Sequence, residues 1–329
     1  MRKPTRSREV GRGEKVLPGI WRLRLPLPWP GVPHCNAWAL ASGSGIVLVD
    51  TGMHEPGSMA HLDRALDQAG VTIEHVRLIV CTHAHVDHCG QAPPIAERAG
   101  CEVWMHRNHA HHSSTAEDPE QAIARRLAIA HQSGVPEEDV RRWLERRRSQ
   151  GSGQAGMLQV DRELAEGDTV DTDLGTWQVI ETPGHAPSHI CLYQPERRLL
   201  ISGDHLLGRV SLYFDAGYTP DPVAEFLDSL GKVERLDARL VLSGHGRPFT
   251  DVAGHVAANR ALVEQRLAAV QAELDQGPRT PYEIAQAVYG ERFTEATVQW
   301  LLSKTLCYLK HLERRGMAKR QGDSPERWS

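Results

Sequence analysis

Four side chains that bind cations well fall within one short stretch, Thr82-His83-Ala84-His85-Val86-Asp87-His88. Imidazole nitrogens and a carboxylate oxygen together suit a borderline divalent cation such as zinc, with manganese or iron(II) as alternatives. In an extended loop, His83 and His85 project to the same side and can share one cation. Asp87 and His88 then lie one step further on and can reach a second. Three separate segments offer further ligands: Thr182-Pro183-Gly184-His185, Ile201-Ser202-Gly203-Asp204 and Leu242-Ser243-Gly244-His245-Gly246. In each, the polar residue follows an apolar run and a glycine. A single His or Asp in such a place is usually a turn residue. Three of them behind a His-rich loop point to one assembled cation site.

The elements that must position these residues are legible from hydropathy. Ile20–Leu27, Ala37–Ala41 and Ile46–Val49 read as strands separated by Pro and Gly, and 61–69 reads as a helix with Leu62, Leu66 and Ala69 on one face. Val76–Cys81 is a strand, and Thr82–Gly90 reads as the polar loop after it. A short helix over Pro94–Ala99 and a strand over Cys101–Met105 follow. The alternation predicts an α/β layered domain, with chemistry gathered at strand ends. Residues 106–166 differ in texture: rich in Ala, Arg, Glu and His, and poor in β-branched residues. They predict a helical insertion, with helices over 121–132 and 137–148 and a flexible Gly/Ser/Gln linker over 149–156. Sheet texture returns at Trp177–Glu181, Ile190–Gln194, Leu199–Ser202 and Leu240–Ser243, with helices over 223–236 and 253–274. Gly277-Pro278 marks a boundary. Beyond it, 281–289 and 295–315 read as helices and 317–328 as a small hairpin.

Bulk properties narrow the classes. The chain has 329 residues, 40% hydrophobic, which suits one large domain and a small one. Expected segments are a basic disordered tail over 1–17, a catalytic domain over 18–276 and a small domain over 277–329. A net charge of −4 argues against a general polyanion binder. Six dispersed cysteines without a C-x-x-C pair argue against a disulfide framework or a thiolate zinc knuckle. Cys81 and Cys89 read as packing residues beside the His motif. The basic N-terminus lacks an apolar run, and no later stretch is long and apolar enough to span a bilayer, so a cytoplasmic protein is expected without membrane contact.

The full pattern resembles the metallo-β-lactamase superfamily over roughly residues 20–275. Its signatures have counterparts in Asp50, the His83–His88 motif, His185, Asp204 and His245. The resemblance implies a four-layer αββα sandwich of two mixed sheets with helices outside. It implies that His83, His85 and His185 hold one metal, that Asp87, His88 and His245 hold a second, and that Asp204 bridges the two. Asp50 would orient ligands from behind. Two cations about 3.5–4 Å apart can share one water and lower its pKa to about 7. Asp87 is then the catalytic candidate, orienting that water and accepting its proton. Members with two irons and a redox role usually carry Glu where this chain has His85, so the form found here favours hydrolysis.

The superfamily hosts lactonases, thioesterases, glyoxalase II enzymes, lactamases and nucleases, so membership alone leaves the substrate open. Gly203–Gly208, Ser243–Pro248 and the C-terminal region are similar to the subfamily that adds a winged-helix-type domain, which includes endoribonucleases and acyl-thioesterases. Trp143, Met157 and Leu158 would give an insertion folded over the metals an apolar face for an acyl chain. A scaffold contact or a homodimer contact is the other use of the insertion. His106, His109, His111 and His112 form a second His-rich run, read as loop and helix-start residues. Lys304, Lys310, Arg314, Arg315, Lys319 and Arg320 could meet nucleic-acid phosphates, but Val298, Leu301, Leu302, Leu309 and Leu312 mark the same helix as an ordinary amphipathic one. Hydrolysis of a small-molecule ester or thioester ranks first, a metal-dependent endoribonuclease second, and a non-enzymatic nucleic-acid or protein binding module last.

Overall fold

The computed structural model describes residues 10–29, 31–113, 118–149 and 152–329. The first sheet takes its strands in chain order: β1 (Arg12–Leu17), β2 (Ile20–Trp29), β3 (Val32–Ser42), β4 (Gly45–Val49), β5 (Val76–Val80), β6 (Glu102–His106) and β7 (Arg162–Leu164). Strands β1 to β4 pair antiparallel, and β4 to β7 pair parallel. Helix α1 (Ser58–Gln68) connects β4 to β5. Helices α2 (Val86–Cys89) and α3 (Ala92–Ala99) connect β5 to β6. Between β6 and β7 lie α4 (Ala110–Ser113), α5 (Pro119–Gln132) and α6 (Glu137–Ser149).

The second sheet is ordered β12-β11-β10-β9-β8, from β8 (Thr169–Thr172), β9 (Gly175–Glu181), β10 (Ile190–Gln194), β11 (Leu199–Gly203) and β12 (Leu240–Ser243). Helix α7 (Pro222–Glu234) joins β11 to the parallel β12. Then come α8 (Val252–Leu274), α9 (Pro281–Tyr289) and α10 (Val298–Arg314), and a ribbon of β13 (Arg320–Gln321) and β14 (Arg327–Trp328).

The two sheets pack face to face. Trp38, Leu40 and Val49 of the first meet Trp177, Val179, Leu192 and Ile201 of the second in one buried cluster. Strands β10 and β11 are buried at every position, because helices cover the other face of their sheet. A strand wet on one side would alternate instead. Outside the first sheet, Leu62, Leu66 and Ile95 of α1 and α3 close a second cluster. Outside the second, Phe226, Leu230, Val256 and Val263 of α7 and α8 close a third. Each fully buried side chain of this size contributes roughly 1.5–3 kcal/mol. The result is an α/β sandwich with helices on both outer faces.

Several expectations need correction. The tail expected over 1–17 is strand from Arg12, paired with β2 through Arg12–Arg24 and Leu17–Ile20; residues 1–9 lie outside the described residues. The insertion's described helices are α4 to α6, and it is not helical to its end, since Arg162–Leu164 forms the edge strand β7. Of the linker expected to be flexible over 149–156, residues 150 and 151 lie outside the described residues. The rest is tied down, with Gly153 O accepting from His54 N at 2.9 Å and Ala155 N donating to Gly90 O at 2.9 Å. The loop after β5 contains the one-turn helix α2. Across the expected boundary at 276/277 the core runs on, because Ile284, Cys307, Tyr308 and Leu309 share a cluster with Val223 and Val256. The thiols of Cys81 and Cys89 are buried among apolar side chains, which pushes the first well up and the second up to about 12. All six cysteines are free. No helix among the described residues is long and apolar enough to cross a membrane.

Candidate metal centre

All seven expected ligands meet at one end of the sandwich. Each follows the C-terminal end of a strand: the His83–His88 segment after β5, His185 after β9, Asp204 after β11 and His245 after β12. The first group is His83, His85 and His185. His83 Nε2 lies 2.9 Å and His185 Nε2 3.0 Å from His85 Nδ1. The second is Asp87, His88 and His245, with Asp87 Oδ2 3.2 Å from His245 Nε2 and 3.5 Å from His88 Nε2. Asp204 stands between them. Its Oδ1 is 3.4 Å from His88 Nε2, and its Oδ2 is 3.2 Å from His245 Nε2 and 3.7 Å from His185 Nε2.

The ring nitrogens that face away from the centre are anchored, and this fixes which lone pairs face inward. His88 Nδ1 donates to Asp50 Oδ2 at 2.8 Å, and Asp50 also accepts from Thr82 N at 2.8 Å. Asp50 adopts a left-handed backbone (φ 62°), an uncommon state for a residue with a Cβ. His245 Nδ1 donates to His34 O at 2.9 Å. His85 Nε2 donates to Asp215 Oδ2 at 2.7 Å, and Tyr213 Oη donates to Asp215 Oδ1 at 2.9 Å. Two glycines give the ligands room. A Cβ at Gly244 would sit 2.2 Å from Asp204 Oδ1 and 2.7 Å from His88 Cε1, and Gly203 is left-handed (φ 46°) with no space beside Thr82 and His189.

The electrostatics follow from burial and proximity. Burial pushes the His83 imidazole well down and His185 down to about 4, so both stay neutral donors of a lone pair. Burial opposes charge on Asp87 too, but His88 and His245 outweigh it and hold its carboxyl well below the usual range. Asp204 is held down in the same way, by His245 and His88. Conversely His245 rises to about 10 against its burial, because Asp204 and Asp87 face it. His88 Nε2 and Asp204 Oδ1 are buried with no hydrogen-bond partner. Two anionic carboxylates and inward nitrogens, some without a partner, make a donor set that fits divalent cations.

Sequence reasoning missed Asp215, Tyr213 and His189. His189 receives Asp204 N at its Nε2 at 3.0 Å and hydrogen-bonds Thr182 Oγ1 through Nδ1 at 2.8 Å. Its position four residues after His185 was the available signal. Asp215 sits in an irregular stretch with no motif around it. Of the second His-rich run, His106 pairs with Glu181 at 3.0 Å, while His111 and His112 reach the surroundings of His85, with ring centroids 6.4 and 5.4 Å from it. Beside them lies a cavity of about 210 Å³. Ala130, Val140 and Trp143 of the insertion and Leu302 of α10 wall it, and Tyr213, Asp215, His111 and His112 border it toward His85. Trp143 thus lines this space. Met157 instead is exposed, and Leu158 packs under the first sheet's helices.

The sequence profile of the metallo-beta-lactamase superfamily matches residues 30–245. The chain belongs to that superfamily. Its hydrolase character and its need for divalent cations follow from membership, and the clustered His and Asp side chains agree with it. Among relatives of this metallo-beta-lactamase superfamily member, the probable metallo-hydrolase YqjP of Bacillus subtilis (strain 168) is 25% identical over 296 residues, covering 83% of this chain and 86% of the relative. The thioesterase pkgB of Emericella nidulans is 28% identical over 216 residues, 64% of this chain and 45% of the relative. A crystal structure of a metallo-beta-lactamase family protein from Thermus thermophilus superposes with a TM-score of 0.82 at 28% identity, covering 95% of this chain and 99% of the other.

Proposed function

We propose that this superfamily member hydrolyses a small-molecule ester or thioester with two zinc ions at the paired His/Asp groups. His83, His85 and His185 would hold one ion, Asp87, His88 and His245 the other, with Asp204 shared. When bound, the ions supply Lewis acidity to the scissile carbonyl and to the attacking water. The protein supplies the rest. Asp87, kept ionised by His88 and His245, accepts a proton at its carboxylate and orients the attacking group. Asp50 and Asp215 hold the His88 and His85 rings by their outer nitrogens, so that the geometry exists before substrate arrives.

The observation that carries the ester reading over a nuclease is the cavity beside His85. Ala130, Val140, Trp143 and Leu302 give an acyl group an apolar wall, and of the two arginines that also line the cavity, Arg125 and Arg126, the first lies over the Tyr218 ring at 4.0 Å and donates to Gly217 O at 2.9 Å. Two of the basic C-terminal residues are engaged within the protein. Lys304 is drawn over the Tyr289 ring at 5.3 Å, and Arg320 is paired with Glu326 at 3.0 Å. The name of the pkgB relative supports the thioester branch. Helices α9 and α10 and the β13–β14 ribbon support the winged-helix-type reading of residues 277–329. Purified protein supplied with zinc or manganese should turn over an acyl thioester and leave single-stranded RNA intact, with turnover lost in Asp87→Ala. RNA cleavage that vanishes in Asp87→Ala, without thioester turnover, would reverse the assignment.

A further inference from the structure

The cavity beside His85 has a specific shape and polarity, and both bear on what the enzyme holds. Its volume is about 210 Å³. An apolar cavity of roughly 150 Å³ accommodates benzene, with its six heavy atoms, so this one has room for about eight. Ala130, Val140, Trp143 and Leu302 form an apolar side of it, Gln121, Arg125, Arg126 and Asp139 line it as well, and the end toward His85 is polar. His111 Nδ1 donates to Asn108 O at 2.9 Å, and a carbonyl can only accept, so in the neutral ring His111 Nε2 presents a lone pair. That nitrogen is buried without a hydrogen-bond partner, on a side chain only 6% exposed. It faces Asp215 Oδ2 at 3.6 Å, beyond hydrogen-bond reach. Two acceptors thus face each other. His112 Nδ1 beside them is also buried with no hydrogen-bond partner.

A cation shared by His85, His111 and Asp215 would satisfy the same atoms. It would need His85 to lend a lone pair from both nitrogens, which means an imidazolate. A neutral hydrogen-bond donor meets His111 Nε2 without that cost. A hydroxyl is such a donor: its one proton goes to His111 Nε2, the atom without a partner, while Asp215 Oδ2 already accepts from His85 Nε2, and the apolar part of the molecule fills the cavity.

We propose that this cavity is the acyl subsite, taking an acyl group of medium length that carries a hydroxyl donating to His111 Nε2. The inference rests on the reading of the metal centre as an ester or thioester hydrolase. It predicts a hydroxyacyl thioester over the plain acyl analogue, and a sharp fall once the acyl group outgrows the space. His111 Nε2, which would receive the hydroxyl, faces the Asp215 carboxylate that holds His85, so substrate polarity is read close to a metal ligand.

The test uses the zinc-loaded full chain and acyl-N-acetylcysteamine thioesters from acetyl to palmitoyl, with 3-hydroxy partners at each length. The expected result is a maximum in kcat/KM at about six to eight carbons, at least ~10-fold higher for the hydroxylated partner, as one buried hydrogen bond of about 1.5 kcal/mol provides. His111→Leu should remove the hydroxyl preference while leaving the length optimum. Ala130→Phe, on a partly exposed helix face, should shift the optimum to shorter chains, and Ala122→Phe serves where that variant folds poorly. Calorimetry of the free acids should show the same length and hydroxyl preferences in binding. Turnover with a flat length profile, unmoved by either Phe variant, overturns the subsite. A length optimum with no hydroxyl preference overturns the polar half of the proposal. No turnover of any thioester overturns the parent reading instead, and acid binding that keeps the length preference then shows the subsite surviving alone.

Discussion

The two sheets supply the same centre in different ways. The first delivers four of the proposed ligands on one contiguous segment, His83 to His88, wrapped over the short helix α2. The second delivers one proposed ligand from each of three strand ends, which are distant in sequence and brought to one edge by the order β12-β11-β10-β9. A local motif needs only correct folding of one loop. A dispersed set needs the whole sheet in register, so the second half of the centre reports on global structure and the first half on local structure.

Asp204→Ala tests that contrast most severely. Asp204 approaches both groups, so its loss should lower zinc content at both and reduce kcat by about 10³-fold, about 4 kcal/mol of barrier. Metal analysis of the folded variant checks this. Retention of two tightly held zinc ions would show that the loop segment suffices alone. Gly244→Ala is the next largest. Its Cβ would press on Asp204 and the His88 ring without removing either, and a displacement near 1 Å should cost about 10²-fold in activity. Circular dichroism should stay that of the parent. A fully active Gly244→Ala would mean that the strand-end ligands tolerate more movement than their packing implies. Smallest is the exchange of supports. Asp215→Asn loosens His85 from the second-sheet side, and Asp50→Asn loosens His88 from the first. Each should weaken zinc binding by about 10- to 100-fold in chelator competition, each in a different one of two resolvable sites. Loss confined to one shared site in both variants would erase the distinction between the halves.

What could be read in advance follows the same division. The His83–His88 segment announces itself, because several ligand types crowd one short window. His185, Asp204 and His245 are legible only as a set, from the repeated glycine-then-ligand ending of an apolar strand. Asp215 was not legible at all, since one aspartate in irregular chain carries no periodicity, and its partner His85 is 130 residues away. Among the elements, long apolar runs such as Ile190–Gln194 and amphipathic helices such as Pro281–Tyr289 were readable. Strand β1 was hidden by its composition: Arg12, Glu14 and Lys15 look like a solvated tail, yet Glu14 bridges to Arg22 and Arg24 across the strand pair. Strand β7 was hidden by its length and by its place after a helical insertion.

Contacts made between the sheets at Asn36 govern how the centre can move. Asn36 of β3 donates its backbone N–H to Gly244 O at 2.7 Å and its side-chain amide to Ser243 O and Gly246 O at 2.8 and 3.0 Å, while His34 O holds the His245 ring. The turn that bears His245 is therefore fastened to the opposite sheet. Fraying of β12 cannot carry His245 away by a small local excursion. It must first tear bonds across the sandwich, so release of a ligand and parting of the two layers become a single event.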